Sequence, residues 1–169
     1  KKTRDNGNKL TATIKLNATS IKLQKKQSTT KVKVTGLANG DSVKSWTSSN
    51  KKIVNVNSSG KIKAAKKDGK TTITITLRSG YKKKISVKVQ KTAVKTTKIK
   101  GIQKKLTIRR KKSYTLVPEI LPITSLEKVT FTSSNKKVAT VTAKGKVTAK
   151  KKGTAVITVK AGRIRKRCK

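Results

Sequence analysis

One stretch of this chain occurs twice, and this repeat constrains the fold more than any other feature. Residues 46–56 read WTSSNKKIVNV, and residues 131–141, starting 85 positions later, read FTSSNKKVATV. The likeness continues from 59–64 to 144–149 at the same offset, and from 69–75 to 153–159 at an offset of 84. Because every exchange is mild, the chain is predicted to contain two copies of one unit, each of roughly eighty residues or slightly more.

The ends of the repeat define the predicted domain organisation. Ile21-Lys22-Leu23 corresponds to Leu106-Thr107-Ile108, and the change of offset indicates a loop deletion near Asp68. A unit of this length has the size of a small domain and removes roughly 60% of its extended-chain surface from water, so it needs no neighbouring repeat to form a modest core. The predicted segments are an arm or linker at 1–9, a first domain at 10–90, a linker at 91–96, and a second domain at 97–169 whose last strand is truncated or only just complete.

The hydrophobic pattern predicts a folded β protein. Composition alone would favour disorder, because 47 Lys and Arg face 5 Asp and Glu, the net charge is +42, and only 32% of residues are hydrophobic. The apolar residues, however, are mostly β-branched and alternate with polar ones, most clearly in Thr71–Leu77 and Ile85–Val89. Turn sequences such as Asn57–Gly60 separate these segments, and we expect Gly60 and Gly145 to adopt positive φ in equivalent hairpins. The sequence therefore predicts an all-β sandwich or barrel for each copy, without helices.

Two local predictions concern sheet edges. The break at Asn17–Thr19 separates two short alternating segments, and we interpret it as a kink within one edge strand. Pro118 and Pro122 lie near the equivalent of the second strand of the unit. Because Pro cannot donate a hydrogen bond to a ladder, that region is expected to be an edge or a bulge.

The repeated string resembles a known family. An aromatic residue followed by Thr-Ser-Ser-Asn, a Val-x-Val strand, Gly-Lys-Val-x-Ala and Gly-Thr-Ala-x-Ile-Thr-Val is similar to the group 2 bacterial immunoglobulin-like domains. The two strings span Trp46 to Ile75 and Phe131 to Val159. The resemblance implies two tandem immunoglobulin-like β-sandwich domains of a bacterial surface protein, such as adhesins of the intimin and invasin type, or of a secreted protein.

Two departures from the family pattern do not threaten that fold. The family usually has Trp where this chain has Phe131, and it often has Pro at the position held here by Lys51 and Lys136. The resemblance supplies no shared catalytic site, and a fold by itself supplies no function.

The residue inventory argues against catalysis. His is absent, and acid–base or nucleophilic catalysis needs a positioned base. No two acids are closely spaced in sequence, and no cluster of oxygen ligands suits calcium. The acids are Asp5, Asp41, Asp68, Glu119 and Glu127. We therefore expect no enzymatic activity, no cofactor and no metal site.

The aromatic residues are interpreted as packing groups. Trp46 could stack on a sugar, but Phe131 holds the same place in the second copy and would be a poorer substitute on a binding face. We therefore predict a core role for both rings, with Val56 and Val141 as equivalent core positions. Tyr81 and Tyr114 lie elsewhere in the unit, each with a ring to pack and a hydroxyl to solvate.

The basic runs have two interpretations. The candidate polyanion contacts are Lys82, Lys83, Lys84, Arg109, Arg110, Lys111, Lys112, Lys150, Lys151 and Lys152. They could bind nucleic acid, an anionic wall polymer or an acidic glycan, or they could be a solvated exterior that keeps a β protein soluble and protects its strand edges. Aromatics are scarce and Lys outnumbers Arg, so specific nucleic-acid recognition is not expected. A continuous stripe of charge would favour binding, and an even covering would favour a solvated exterior.

The predicted role is a non-catalytic spacer, presenting or adhesion module, extracellular or at the bacterial cell surface. The alternative is a binding module for anionic polymers, with an envelope polymer or a host glycan or protein as partner. We expect a monomer. No stretch approaches the roughly 20 apolar residues of a membrane span, and the single cysteine, Cys168, excludes an internal disulfide framework. The missing initiator Met and the abrupt ends are interpreted as the mark of a fragment, which would have lost any signal peptide.

Overall fold

The computed structural model describes residues 14–169, so the predicted arm at 1–9 lies outside the described residues. The chain divides into two compact units, unit 1 ending at Val94 and unit 2 spanning Lys95–Lys169. The regular elements of the described residues are all β-strands arranged in several sheets. The predicted fold class, all-β with immunoglobulin-like sandwiches, is confirmed.

Unit 1 forms a four-stranded and a three-stranded sheet, with one further strand pair. Its strands are β1 (Lys15–Leu16), β2 (Ser20–Gln24), β3 (Ser28–Thr29), β4 (Val34–Thr35), β5 (Val43–Ser48), β6 (Val54–Val56), β7 (Ile62–Ala64), β8 (Gly69–Leu77) and β9 (Lys82–Gln90). The larger sheet has the order β2-β9-β8-β5 and the smaller one β3-β7-β6, while β1 pairs with β4. Strand β2 runs parallel to β9, and the other pairs are antiparallel.

Alternation along β8 and β9 creates the inner face of the larger sheet. Ile73, Ile75 and Leu77 are fully buried, and the threonines between them face outward. Ile85 and Val87 repeat this pattern on β9. Successive side chains of a strand point to opposite faces, so a period of two in the sequence becomes one apolar and one polar face. Each such buried side chain contributes about 1.5–3 kcal/mol relative to exposure.

Unit 2 forms two three-stranded sheets and one further strand pair. Its strands are β10 (Lys98–Lys100), β11 (Ser113–Thr115), β12 (Glu119–Leu121), β13 (Val129–Ser133), β14 (Ala139–Val141), β15 (Lys146–Ala149), β16 (Ile157–Ala161) and β17 (Ile164–Cys168). The sheets have the orders β13-β16-β17 and β11-β15-β14, and β10 pairs with β12. Val147 of β15 and Val159 of β16 belong to one buried cluster, so the core lies between the two sheets.

The interpretation of Asn17–Thr19 as a kink within one strand is wrong. Strand β1 pairs with β4, whereas β2 pairs with β9 in the larger sheet, so the chain changes sheets at this point. The Asn17 side chain holds the crossing, because its Nδ2 donates to the Lys31 carbonyl at 2.7 Å and its Oδ1 accepts from the Lys33 N–H at 2.8 Å. A break in alternation marked the position, but the change of partner is a tertiary feature.

Two further segments of unit 2 bear on the sequence predictions. Pro118 and Pro122 flank β12, whose strand partner is β10 alone, so the region is an edge as predicted. Leu106-Thr107-Ile108, the counterpart of part of β2, forms no strand. Among the described residues, no helix is long and apolar enough to cross a membrane.

Candidate functional site

The two predicted core aromatics lie against turn glycines. A Cβ built on Gly60 would meet Cζ2 of Trp46 at 2.7 Å, and one built on Gly145 would meet Cζ of Phe131 at 2.9 Å. Trp46 belongs to β5 of the larger sheet, whereas Gly60 lies in the hairpin between β6 and β7 of the smaller one. The ring therefore joins the two sheets of the sandwich, and Phe131 occupies the equivalent place in unit 2.

The predicted core residues are half-buried, not fully buried. Trp46 and Phe131 both keep part of the ring exposed, because each covers a hairpin turn instead of lying wholly between the sheets. Val56 and Val141 are also half-buried and hold equivalent register positions, Val56 opposite Ile62 and Val141 opposite Val147. Val54 is fully buried and belongs to the core itself.

The turn glycines require a backbone that other residues rarely adopt. Gly60 has a φ of 79° and donates its N–H to the Asn57 carbonyl at 3.1 Å. Gly145 has a φ of 84° and donates to the Thr142 carbonyl at 3.0 Å. A side chain at either position would combine left-handed strain with a clash against the ring.

The predicted lysines of β9 point in two directions. Lys82 and Lys84 lie on the outer face of the larger sheet, opposite Thr76 and Thr74 of β8. Lys83 lies at a register position on the other face, and its Nζ is 5.8 Å from the centroid of the Tyr81 ring, within reach of a cation–π contact. The structure therefore separates Lys83 from the other two members of the run.

A row of like charges crosses the outer face of unit 1. Lys88 of β9 pairs in register with Lys22 of β2 on one side and with Lys70 of β8 on the other. All three side chains are exposed. Like charges directly opposite one another on neighbouring strands repel, so this row attracts anions and weakens the sheet at low salt.

The outer face of unit 2 carries a cationic hollow whose residues are not among the candidate polyanion contacts. Its volume is about 300 Å³, and its lining is Thr130, Thr132, Thr158, Lys160, Arg165 and Arg167. Lys160 and Arg165 are register partners, as are Thr158 and Arg167. Arg165 and Arg167 are two residues apart in β17, and this spacing is the signal that could have placed both arginines on one face.

Seven of the predicted basic residues come together in unit 2. Arg109–Lys112 form a turn in which Lys111 has a φ of 64°, and the Lys111 N–H donates to the Ala149 carbonyl at 2.8 Å. The Ala149 N–H donates back to the Lys112 carbonyl at 3.0 Å, and Lys150–Lys152 follow at once. These seven residues, Arg109–Lys112 and Lys150–Lys152, are called the basic end of unit 2. Unit 1 has Gln24–Gln27 and Lys66–Asp68 at the corresponding places, with Lys25 and Asp68 in an ion pair of 2.6 Å.

Asp41 holds two loops of unit 1 together. Its Oδ2 accepts from the Ser79 hydroxyl at 2.6 Å, and its Oδ1 accepts from the N–H groups of Ser79 and Ser42 at 3.1 and 2.9 Å. These bonds favour the ionised form, with the Ser79 hydroxyl as the largest cause, so the pKa of Asp41 lies below its usual value. The carboxylate therefore has a structural role, because its bonds tie Ser42 and Ser79 to one side chain.

Two other acids have structural roles as well. The Lys25 ammonium lowers the pKa of Asp68. The Thr96 N–H, which donates to Glu127 Oε2 at 2.7 Å, lowers the pKa of Glu127, and Lys95 lies 3.5 Å from its other oxygen. No group of three or more potential metal ligands occurs in residues 14–169. The described surface carries many cationic side chains, which attract anions.

One family model matches part of the chain. Residues 93–168, less than half of the chain, match the model of the group 2 bacterial Ig-like domain. A comparison with curated proteins found no match.

Solved structures also match the chain, all at low sequence identity. The S-layer protein rSbsC(31-844) is 19% identical with a TM-score of 0.41, and the match covers 73% of this chain but only 19% of that one. A complex of the C-terminal 282-residue fragment of intimin with the intimin-binding domain of its translocated receptor is 18% identical, with 92% and 60% coverage and a TM-score of 0.29. Human mucin-like protocadherin EC1-2 is 8% identical, with 94% and 97% coverage and a TM-score of 0.37. Scores this low carry nothing about function.

Proposed function

We propose that the chain is a tandem pair of bacterial Ig-like domains that acts as a spacer, presenting or adhesion module of a cell-surface or secreted protein. The observation that carries this proposal is that unit 1 repeats structural features of the matched segment, while Asp41, Asp68 and Glu127 have structural roles. The role is geometric: each sandwich is a compact body that holds whatever is attached to it at a distance.

Backbone conformations that recur at equivalent positions support placing both units in one family. Lys26 and Lys111, both non-glycine residues, adopt a left-handed backbone with φ of 66° and 64° in equivalent turns. This conformation is uncommon outside glycine, so its recurrence reflects a shared turn. Gly69 and Gly153 have φ of 150° and 145°, and a Cβ on either would meet Ile53 or Val138 at 2.9 Å.

The distribution of charge favours the spacer role over a dedicated binding face. Lysines occupy exposed positions on both sheets of unit 1, such as Lys63 of β7 and Lys84 of β9, and on β10 and β15 of unit 2. A coat of this kind keeps short β-strands from pairing with other chains. It covers the units broadly and does not follow a single stripe.

The spacer role is tested by tethering a reporter domain to beads through the full chain or directly. The accessible fraction of the reporter is measured with a large antibody complex. We expect the chain to raise accessibility, and the gain to persist when soluble polyanion is added, because folded bodies and not bound polymer provide the distance. Equal accessibility with and without the chain would exclude a spacer role.

The basic end of unit 2 favours a second candidate function, binding of an anionic polymer of the cell envelope. It combines seven basic residues and no acid at a place where unit 1 carries the Lys25–Asp68 ion pair. A flexible polyanion could contact several of these side chains at once, and each neutralised phosphate releases counterions.

Binding at the basic end is tested by titrating several polyanions at matched salt. The variant replaces Lys150, Lys151 and Lys152 with Gln, and the control replaces Lys98, Lys100 and Lys128, exposed residues of the same unit. A specific site requires the first variant alone to lose affinity for one polymer, with the slope of log K against log salt falling by about 1 for each lysine removed. Equal losses in both variants, or simultaneous release of every polymer, would leave only a solvated coat.

A further inference from the structure

The cationic hollow on the outer face of the β13-β16-β17 sheet has a regular construction. Its six residues stand in two rows that cross the three strands in register. The first row contains Thr130, Lys160 and Arg165, and the second contains Thr132, Thr158 and Arg167. Neighbouring strands lie about 4.8 Å apart and alternate residues of a strand about 6.6 Å apart, so the six Cα atoms span an area of about 10 by 7 Å. The volume of about 300 Å³ is at the lower end of the range for small-ligand sites, so the hollow suits one small ligand.

Three cations stand around a floor of hydroxyl groups in this hollow. Thr158 of the central strand is half-buried, whereas Lys160, Arg165 and Arg167 are exposed, so the cations rise above the threonine. Strands β13, β16 and β17 contain no acidic residue. In residues 14–169, the observed ion pairs involve other lysines. The three positive charges are therefore not neutralised by ion pairs within the described protein.

Unit 1 provides an internal comparison for the hollow. The register of its strands β5, β8 and β9 gives each residue of the hollow a counterpart on the outer face of the larger sheet. The counterparts are Ser45, Thr76 and Lys82 in the first row and Thr47, Thr74 and Lys84 in the second. Lysines of unit 1 thus stand where unit 2 has arginines, and a threonine stands where unit 2 has Lys160. Unit 2 therefore has one more cation and two guanidinium groups at this place.

The two arginines determine what the hollow can recognise. A guanidinium presents a planar fork of N–H donors that fits two oxygens of one anion, whereas an ammonium acts as a point charge. Threonine hydroxyls at the floor can donate further hydrogen bonds. Three cations attract a dianion more strongly than a monoanion. A phosphoryl group carries about −1.5 to −2 charges at pH 7 and three acceptor oxygens, so it fits these requirements better than a carboxylate or a sulfate ester.

We propose that the cationic hollow binds one phosphoryl dianion, either a phosphate monoester of a small molecule or free phosphate. Arg165 and Arg167 donate to its oxygens, and Lys160 balances its second charge. Thr130 and Thr132 lie across the hollow from the arginines, on the side where the organic part of a monoester would extend. The site shares no residue with the basic end of unit 2, and it does not depend on the proposed spacer role.

The test titrates the full 169-residue chain with glucose 6-phosphate and with glucose 6-sulfate at matched ionic strength. The two esters have nearly the same shape, but at pH 7 the phosphate carries close to two charges and the sulfate carries one. Binding is followed by NMR at the guanidinium signals of Arg165 and Arg167. The signals of Lys82 and Lys84 in unit 1 serve as a reference within the same sample.

We expect glucose 6-phosphate to bind about tenfold more tightly than glucose 6-sulfate at pH 7. The difference should disappear near pH 5, because the phosphate group then carries mostly one charge. A third titration with inorganic phosphate separates the two sources of the ligand. Tighter binding of glucose 6-phosphate identifies a monoester, and equal or tighter binding of inorganic phosphate identifies free phosphate.

Two variants separate the guanidinium fork from charge alone. Arg165→Lys combined with Arg167→Lys keeps the net charge and copies the residues of unit 1. This double variant should lose about tenfold in affinity for glucose 6-phosphate. The control is Lys166→Gln, which removes a charge between the two arginines but on the other face of β17, and its affinity should stay within about twofold of the parent.

Three results would each overturn the proposal. The first is equal binding of the two sugar esters at pH 7, and the second is a response of the unit 1 signals at the same ligand concentrations as those of the hollow. The third is an equal loss of affinity in the double variant and in Lys166→Gln. The comparison of the esters uses the parent protein, so it decides the proposal even where a variant is unstable.

Discussion

The indole of Trp46 lies so close to Gly60 that a Cβ on the glycine would meet the ring at 2.7 Å. This contact joins the larger sheet of unit 1 to a hairpin of the smaller sheet, and Phe131 and Gly145 repeat it in unit 2. One aromatic residue and one glycine thus contact each other at each of these places, and this contact is not visible in either local sequence pattern.

The first prediction separates ring contact from backbone strain. Gly80 has a φ of 85°, close to the 79° of Gly60, but a Cβ there would meet nothing within 4 Å. Gly80→Ala should therefore cost about 1–2 kcal/mol from left-handed strain alone. Gly60→Ala should cost about 1–3 kcal/mol more because the ring must move. Urea unfolding followed by Trp46 fluorescence measures both, and equal costs would show that the ring gives way freely.

The second prediction concerns Trp46 itself. Trp46→Phe copies the residue found in unit 2 and should cost less than about 1.5 kcal/mol. Trp46→Ala empties the contact with the hairpin and should cost about 3 kcal/mol, near the lower end for aromatic truncation because the ring is half-buried. Urea unfolding followed by circular dichroism compares the two. An unchanged midpoint in Trp46→Ala would return the ring to a surface role.

The third prediction is that the hydrogen bonds between Asp41 and Ser79 make the stability of unit 1 depend on pH. The pKa of Asp41 is lowered in the folded state, so its contribution to stability is present above the unfolded-state pKa and is lost as pH falls through the folded-state pKa. Asp41→Asn should therefore be less stable than the parent at neutral pH, and the difference should shrink in acid. Glu119→Gln, on β12, removes the same charge as a control. If the stability difference between Asp41→Asn and the parent did not change with pH, these hydrogen bonds would not have the proposed role.

The fourth prediction concerns the row formed by Lys22, Lys88 and Lys70. Lys88→Thr removes the middle charge and should stabilise unit 1 at low salt by about 0.2–1 kcal/mol. The gain should fade toward physiological salt, where the screening length is about 8 Å. Lys84→Thr is the matched control, because Lys84 pairs with Thr74. Urea unfolding across a salt series measures both, and equal gains would mean that net charge matters and the row does not.

Residues 106–108 show which features the internal repeat can predict and which it cannot. The internal repeat and the alternation of β-branched residues determined the all-β class, because a period of two places side chains on opposite faces whatever lies around them. The repeat also equated Ile21–Leu23 with Leu106–Ile108. It did not show that 106–108 form no strand, since a strand exists only where a neighbour supplies its hydrogen bonds.

The sequence by itself therefore determined the local structural features of this protein, and the tertiary structure decided the long-range ones. The sequence determined the repeated strands and the places where the chain turns, because backbone preference and alternation are written within a few residues. Only the tertiary structure places Arg109–Lys112 beside Lys150–Lys152. It also places Lys83 on the opposite face of the sheet from Lys82 and Lys84, and it shows that the chain passes from one sheet to another at Asn17. Each of these depends on which distant segment supplies the pairing partner, and that choice is made by packing of the whole unit.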